Sequence, residues 1–320
     1  MIDLWKLRHD FFTEALIIKK LIMIKRTLCF SNPAYLSTRN EQLVIKYPKI
    51  EQDILSIPIE DIGFVVLEDP QITISNRLME KLLQNNVGLV NCNSQRMPLG
   101  LFLPLQGHSE QNERVRAQLD ATVPLKKNLW QQTVQAKIGN QSALLAKRDI
   151  SNRNMQYWSK EVTSGDTLNH EARAAAYYWQ HLFKVENFRR NRDGESPNNA
   201  LNYGYAILRA VCARAIVSSG LLPIVGIHHA NKYNAYCLAD DIMEPYRPYV
   251  DAIVCSLLDA KTDLEEITTE IKKELLVIPV IDVQIEGKKS PLMLAMSRTT
   301  NSLQECFMGL SRKLIYPTFS

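Results

Sequence analysis

The stretch from Gly226 to Asp251 concentrates ionisable side chains in an otherwise apolar setting, beside Leu238, Ile242 and Met243. Two histidines, four carboxylates, a lysine and an arginine stand there: His228, His229, Lys232, Asp240, Asp241, Glu244, Arg247 and Asp251. Burial of so many ionisable groups is costly unless they pair with one another or share a metal ion. The polar side chains of this stretch therefore indicate a functional site.

The acidic residues of this stretch fall where a helix is predicted to begin. Asp240 or Asp241 suits the N-cap, and Asp241 and Glu244 are three residues apart, hence neighbours on one helix face. Pro245 and Pro248 are tolerated early in a helix and strain its interior, so a short or kinked helix start is predicted. The alternative for Asp240 is an exposed helix start with a solvated acidic cap.

The donor atoms of this stretch favour a hard divalent cation. His228 and His229 precede the predicted helix across a polar loop. Histidine and carboxylate ligands without a cysteine at metal-ligand spacing suit magnesium or manganese better than structural zinc. We therefore expect Mg²⁺ or Mn²⁺ at this site.

Glu171 is a further carboxylate in an apolar pattern. The helix predicted over 167–183 carries one apolar stripe, and Glu171 falls on it among Leu168, Ala172, Ala175, Trp179 and Leu182. An acid on a buried face needs a partner. His170 does not complete the zinc-protease helix motif, because position 174 is alanine. Glu171 is predicted either to form an ion pair with Arg173 or Arg209 or to join the later site as a ligand.

The elements that position these residues fall into two parts. Runs of β-branched and aromatic residues predict strands over 25–30, 42–46, 54–59, 62–67, 72–74, 87–91 and 101–105, with a helix over 75–83. After a polar segment, helical spacing predicts helices over 113–119, 128–147, 167–183, 199–220, 263–276 and 293–315, with a hairpin or loop over 278–289. The predicted fold class is α+β: a small N-terminal β-strand-rich domain, residues 23–105, followed by a larger all-α-helical catalytic domain, residues 106–320.

The first 22 residues differ in texture from the strands that follow. They are loosely amphipathic, and their apolar stretch is too short for a secretory signal. A second methionine, Met23, then precedes the first predicted strand. We expect translation to begin at Met23, which makes residues 1–22 a poorly anchored extension; a peripheral helix docked on the body is the alternative.

Composition excludes several classes of protein. The chain is 46% hydrophobic and 22% charged, as in soluble globular proteins, and no apolar run reaches the roughly 20 residues of a membrane helix. Its six cysteines are scattered, which predicts buried free thiols in the cytoplasm. Glycine-rich phosphate loops, nucleophile elbows and dinucleotide fingerprints are all missing. A net charge of +4 with an acidic metal site suits phosphodiester chemistry.

From Met23 onward the chain resembles the Cas1 family, the CRISPR-associated integrases that form the catalytic subunit of the spacer-acquisition complex. Four motifs carry the resemblance and occur in family order: Glu171–Trp179, Asn198–Leu208, Gly226–His229 and Leu238–Pro248. The His-His pair and the loop over 231–236 resemble the version that accompanies the type II effector Cas9.

The resemblance implies that Glu171, His229 and Glu244 are the catalytic residues and bind one divalent ion, Mg²⁺ or Mn²⁺. His229 is preferred to its neighbour because the family histidine stands three residues after the glycine that matches Gly226. Asp241 matches a further family acid, which orients a ligand or binds the ion through water.

Candidate contacts to DNA complete the implied site. His228 is expected to be structural or a weak DNA contact. Lys232 and Arg247 are candidates for phosphate contacts, which position DNA without reading its sequence. The partner DNA is double-stranded: a spacer precursor and the CRISPR repeat.

The implied reaction is attack by the 3′-hydroxyl of a DNA fragment on a phosphodiester of the repeat, or hydrolysis at the same site. The implied assembly is a homodimer, with two homodimers flanking a Cas2 dimer, contacts supplied by the β-rich domain, and Cas9 as a further partner. Two alternatives remain: a metal-dependent nuclease acting on branched DNA repair intermediates, which would use the same residues, and a non-catalytic DNA-binding scaffold, which loss of the three ligands would favour.

Overall fold

A computed structural model of the protein describes residues 25–48, 55–183, 185, 188–191 and 194–320. The chain divides into two compact units, Met1–Leu105 and Gln106–Ser320. The predicted extension, residues 1–22, lies outside the described residues. Within the part of the chain that the structure describes, no helix is both long and apolar enough to cross a membrane.

The described residues of the first unit form two four-stranded sheets and a helix. The strands are β1 (Arg26–Phe30), β2 (Tyr35–Arg39), β3 (Gln42–Lys46), β4 (Leu55–Pro58), β5 (Ile62–Leu67), β6 (Thr73–Ile74), β7 (Gly88–Cys92) and β8 (Pro98–Phe102), and the helix is α1 (Asn76–Gln84). One sheet has the order β1-β5-β7-β8 and is parallel apart from β8. The other has the order β4-β3-β2-β6 and is antiparallel apart from the β2–β6 pair.

Burial along the strands follows from their sequences. Strand β3 alternates, with Leu43 and Ile45 fully buried and Val44 half-buried between them, as expected for a sheet with one covered face. Strand β5 is buried at every position, which is typical of a central parallel strand covered on both faces. The N-cap Ser75 starts α1 by accepting a hydrogen bond from the backbone N–H of Leu78.

The second unit is helical. Its helices are α2 (Gln111–Leu119), α3 (Val123–Lys147), α4 (Arg153–Glu161), α5 (His170–Leu182), α6 (Asn198–Ser218), α7 (Cys237–Met243), α8 (Arg247–Asp259), α9 (Thr269–Leu275) and α10 (Leu292–Phe307). Strands β9 (Asp282–Ile285) and β10 (Lys288–Pro291) form a hairpin, the first of the two conformations predicted for that segment. The predicted α+β class is confirmed, with strands first and helices second.

Helix α6 runs through the core of the second unit. It is buried on nearly every side, as the apolar pattern over 199–220 predicts. Gly220 follows the helix with a φ of 75°, a left-handed conformation that glycine adopts without strain, so the helix ends there. The absence of a side chain at Gly204 brings α6 close to α8, since a Cβ at this position would lie 2.5 Å from Val250 Cγ1.

Alanine at two helical glycines is expected to have opposite effects on stability. Gly204→Ala should lower the free energy of unfolding by about 1–3 kcal/mol, because overpacking against Val250 outweighs the better helix propensity of alanine. Gly139→Ala in α3 should raise it by about 0.5–1 kcal/mol, because a Cβ there meets only Ser159 Oγ, at 3.8 Å. Urea unfolding of both variants measures the difference, and equal shifts would contradict the close approach at Gly204.

Candidate active site

Glu171 lies in the first turn of α5, and Asp166 holds that turn. The Asp166 carboxylate accepts the backbone N–H of His170 at 2.9 Å and that of Glu171 at 2.9 Å. The predicted apolar stripe is right at Leu182 and wrong elsewhere, because the buried face of α5 consists of His170, Ala174, Tyr178 and Leu182. Leu168 is 55% exposed, and Glu171 lies at the edge of the buried face with its side chain 25% exposed.

Glu244 lies between two helices, in the 3-10 turn Glu244–Tyr246 that joins α7 to α8. Pro245 lies at the start of this turn and Pro248 at the start of α8, where a backbone N–H would have no helical partner in any case. The predicted short helix start is therefore found. Asn140 of α3 donates to the Pro245 carbonyl at 2.7 Å and ties the turn to α3. Only 4% of Glu244 is exposed.

Lys137 of α3 joins the two glutamates. Its Nζ lies 2.7 Å from Glu171 Oε1 and 2.7 Å from Glu244 Oε2. The Glu171 contact is a hydrogen bond, and the Glu244 contact is an ion pair of the same length. The ion-pair partner of Glu171 is therefore Lys137, and the predicted pairing with Arg173 or Arg209 is wrong.

A second cation completes the charge balance around Glu244. Arg247 Nη2 lies 2.9 Å from Glu244 Oε1. Burial raises the pKa of Glu244, but Arg247 and Lys137 outweigh burial, and the net pKa is lowered from its ordinary value. Burial likewise lowers the pKa of Lys137, and the charges of Glu244 and Glu171 reverse this to a net increase. Glu244 and Lys137 are therefore both charged at neutral pH, and Glu244 faces two cations.

His229 is held by Asp241, which is fully buried in α7. Asp241 Oδ1 accepts the ring Nδ1–H at 2.5 Å and the His229 backbone N–H at 3.2 Å. Its Oδ2 accepts the backbone N–H groups of Ile227 at 2.8 Å and His228 at 3.0 Å. Gly226 permits this approach, because a Cβ there would lie 2.8 Å from Asp241 Oδ2.

The Asp241 contacts determine which ring nitrogen of His229 is available. With Nδ1 donating to the carboxylate, Nε2 carries the lone pair in the neutral ring and is the nitrogen that can bind a metal. The hydrogen bond to Asp241 raises the pKa of His229, with smaller contributions from Glu244 and Glu171.

The predicted N-cap role of the two aspartates is wrong. Helix α7 begins after Tyr236, so Asp240 and Asp241 lie inside the helix. Asp240 Oδ1 accepts from Arg209 Nε at 2.7 Å and Oδ2 accepts from Asn234 at 2.7 Å. Both carboxylates bind donors distant in sequence, and these contacts prevail over the local capping preference.

The candidate DNA contacts differ in availability. His228 is exposed and stacks in parallel on the buried Trp130, with ring centroids 4.0 Å apart. Lys232 is exposed in the loop before α7, where its Nζ lies 4.8 Å from the Tyr233 ring. Arg247 is already engaged, by Glu244 and by the Tyr205 ring 4.8 Å away.

The donor set fits a divalent cation, although no three His, Cys, Asp or Glu side chains among the described residues stand close enough to hold one as they are. The ammonium of Lys137 stands in for a cation between Glu171 and Glu244. Oxygen ligands of this kind, with one imidazole, suit Mg²⁺ or Mn²⁺. Glu171, Glu244 and His229 could hold the ion if the Lys137 ammonium left the position between the two glutamates.

Asp251 is a further buried acid, 1% exposed, beneath the site. Tyr178 donates to its Oδ2 at 2.7 Å, and Tyr205 donates a short hydrogen bond to its Oδ1. Burial raises the pKa of Asp251 to about 6, against the lowering effect of the two tyrosine hydrogen bonds. Tyr205 links this acid to Arg247 and so to the site.

The pKa of Asp251 predicts a pH dependence of stability. The pKa of Asp251 is higher in the folded than in the unfolded protein, so the folded state binds the proton more tightly. The contribution of Asp251 to the free energy of unfolding is therefore complete below pH 3.8 and is lost as pH rises through about 6. Between pH 5 and 7.5 this group should lower the free energy of unfolding by about 1–2 kcal/mol. Urea unfolding across that range should show a shallower pH dependence for Asp251→Asn than for the wild type, and equal slopes would contradict the raised pKa.

The sequence interpretation missed Lys137, Asp166 and Trp130. Lys137 had a signal, because it falls on the same helical face as Trp130, Val134 and Gln141, where a lysine needs an acidic partner. Asp166 directly precedes the predicted helix start at residue 167, a usual position for a capping acid, but the helix begins three residues later and Asp166 accepts from its first turn.

Comparison with known proteins gives a consistent result. A family model described as CRISPR associated protein Cas1 matches residues 28–274. The chain is 35% identical to the CRISPR-associated endonuclease Cas1 of Neisseria meningitidis serogroup C (strain 8013), over 88% of this chain and 92% of that protein.

Solved structures share the fold. A casposase bound to integration product matches with a TM-score of 0.71 and 21% identity, covering 90% of this chain and 91% of that one. A chain of a Cas6-RT-Cas1–Cas2 complex matches with a TM-score of 0.69 and 20% identity, covering 93% of this chain and 36% of that one.

Proposed function

Since the chain belongs to the Cas1 family of CRISPR-associated proteins, we propose that it is a metal-dependent DNA integrase and endonuclease of CRISPR adaptation. It inserts new spacer DNA into the repeat array when a fragment's 3′-hydroxyl attacks a phosphodiester of the repeat. The observation that carries this proposal is the convergence of Glu171 and Glu244 on one buried cation position.

Glu171, His229 and Glu244 are the proposed ligands of Mg²⁺ or Mn²⁺. When bound, such an ion supplies charge stabilisation at the phosphate undergoing attack. Asp241 orients the His229 ring and directs Nε2 away from itself. All four donors to the Asp241 carboxylate come from the segment Ile227–His229, so we assign Asp241 a positioning role.

The attacking hydroxyl belongs to the DNA, so the protein needs no nucleophile of its own. Its task is to hold two DNA ends in line and to stabilise developing negative charge. We propose that Lys232 and His228 contact phosphate or base from the exposed loop before α7. Arg247 acts by holding Glu244, since its guanidinium is already paired with that carboxylate.

The proposed assembly is a homodimer that joins a Cas2 dimer on double-stranded DNA, with Cas9 as a further partner. The first unit is the proposed source of dimer and partner contacts. The structural neighbour found in a Cas6-RT-Cas1–Cas2 complex supports Cas2 as the partner. We propose that the complex acts in the cytoplasm, in accord with the buried free thiols of Cys212, Cys237, Cys255 and Cys306.

The deciding experiment measures strand transfer. A labelled short duplex is incubated with a plasmid that carries the repeat array, purified protein, its Cas2 partner and Mg²⁺ or Mn²⁺. We expect joined product that disappears with a chelator and returns with the divalent ion. Cleavage without joining would contradict the integrase and support the nuclease of branched DNA intermediates. Binding without either reaction would support the DNA-binding scaffold.

A further inference from the structure

The Lys137 ammonium occupies the cation position between the two proposed carboxylate ligands, Glu171 and Glu244. Lys137 Nζ lies 2.7 Å from one oxygen of each glutamate, and the lysine side chain is only 11% exposed. Its stem is held on the buried face of α3, one turn before Asn140, which ties the Glu244 turn to the same helix. The ammonium is therefore built into the site and is not a chance surface contact.

Both oxygens of Glu244 already face a cation, since Oε2 lies 2.7 Å from Lys137 Nζ. Glu244 Oε1 is 2.9 Å from Arg247, and Asp241 accepts four hydrogen bonds with its two oxygens. A divalent ion bound between Glu171 and Glu244 therefore meets the Lys137 ammonium, because neither Glu244 oxygen is without a cation. It must displace the ammonium or share the carboxylates with it.

Charge sharpens this competition. Two carboxylates, Glu171 and Glu244, face two cations, Lys137 and Arg247, so the cluster is neutral and attracts a divalent ion weakly. Without the lysine charge the cluster would be negative, which raises its affinity for a divalent ion. The same change lowers the stability of the metal-free protein, because a buried carboxylate loses its partner. Lysine suits this position because its flexible stem lets the ammonium withdraw.

We propose that Lys137 is a positioning residue that substitutes for the divalent ion in the metal-free protein and sets the threshold for metal binding. It keeps the Glu171 and Glu244 carboxylates close enough to share one cation, and its ammonium is displaced when the divalent ion binds. This regulation of the site rests on the proposed function, since it takes the two glutamates as metal ligands.

The test compares metal-free stability with Mn²⁺ affinity, without DNA. Full-length wild type, Lys137→Met and Lys137→Arg are examined by scanning calorimetry after chelation, and Mn²⁺ binding is measured by electron paramagnetic resonance. Lys137→Met should lower the metal-free Tm by about 5–10 °C and tighten Mn²⁺ binding by about 10-fold or more. Lys137→Arg, which keeps the charge, should bind Mn²⁺ no more tightly than the wild type.

Opposite shifts of Tm and affinity separate this role from a structural one, which would weaken both. The control Lys127→Met removes an exposed charge from the same helix and should change neither. If Lys137→Met does not fold, Lys137→Gln, whose amide still donates to one carboxylate, should show the same opposite shifts. Mn²⁺ affinity that stays unchanged or falls in the neutral variants would overturn the proposal, while an absence of Mn²⁺ binding in every form would contradict the metal dependence of the proposed function itself.

Discussion

Glu171→Gln and Glu244→Gln are each expected to lower the rate of strand joining by about 10³-fold or more in the presence of Mg²⁺ or Mn²⁺. Glutamine keeps the size of each side chain and removes the negative charge that a divalent ion requires. The two positions are separate in sequence and meet only at the cation position occupied by Lys137 Nζ. Loss of joining in both variants would therefore assign one shared function to both carboxylates.

Loss of activity must be distinguished from loss of fold. Glu244 is 4% exposed and Glu171 lies at the edge of its buried face, so Glu244→Gln carries the larger cost in stability, because Lys137 and Arg247 lose one partner. Thermal unfolding of each variant defines the temperature up to which it stays folded, and joining is measured below that temperature.

The matched control is Glu161→Gln, an exposed carboxylate at the end of α4. It should leave joining within about 2-fold of the wild type, since a surface charge contributes little. Joining by Glu244→Gln within about 10-fold of the wild type would contradict the ligand role of Glu244.

The fold and the family could be predicted from sequence to a large extent. Alternating and continuous apolar runs identify β3 and β5, and a helix apolar on most sides identifies α6. Strand β2 escaped prediction, because its sequence is Tyr-Leu-Ser-Thr-Arg and only Leu36 is buried. Such a strand is held by its neighbours and carries little pattern of its own.

The site could be predicted in part, and the limit is one of distance along the chain. The resemblance to the family implies Glu171, His229 and Glu244 as ligands, and this set remains a prediction. The ammonium between the glutamates comes from Lys137 on α3, a helix with no match to the motifs. Local capping rules placed Asp241 at a helix start, whereas its actual donors lie 12 to 14 residues earlier in the chain.

Because Asp241 is fully buried and accepts four hydrogen bonds, a small substitution at this position should be especially damaging to the fold. Asp241→Asn is expected to lower the free energy of unfolding by about 3 kcal/mol or more. The wild-type carboxylate accepts three backbone N–H groups and the His229 ring, with no exposed surface. An amide offers one acceptor oxygen and turns its own N–H₂ group toward donors, so at least one buried backbone N–H is left without a partner.

The neighbouring acid gives a control in the same helix. Asp240→Asn should lower the free energy of unfolding by about 1 kcal/mol. The substituted side chain still offers one oxygen to Arg209, and the Arg209 side chain is 42% exposed and can be hydrated by water. Urea unfolding of both variants at one pH measures the two costs directly. Because the Asp241 carboxylate is the shared acceptor for the whole segment that presents His229, joining should also fail in Asp241→Asn under conditions where the protein remains folded. A smaller loss of stability for Asp241→Asn than for Asp240→Asn would mean that the loop before α7 is held by contacts other than this carboxylate.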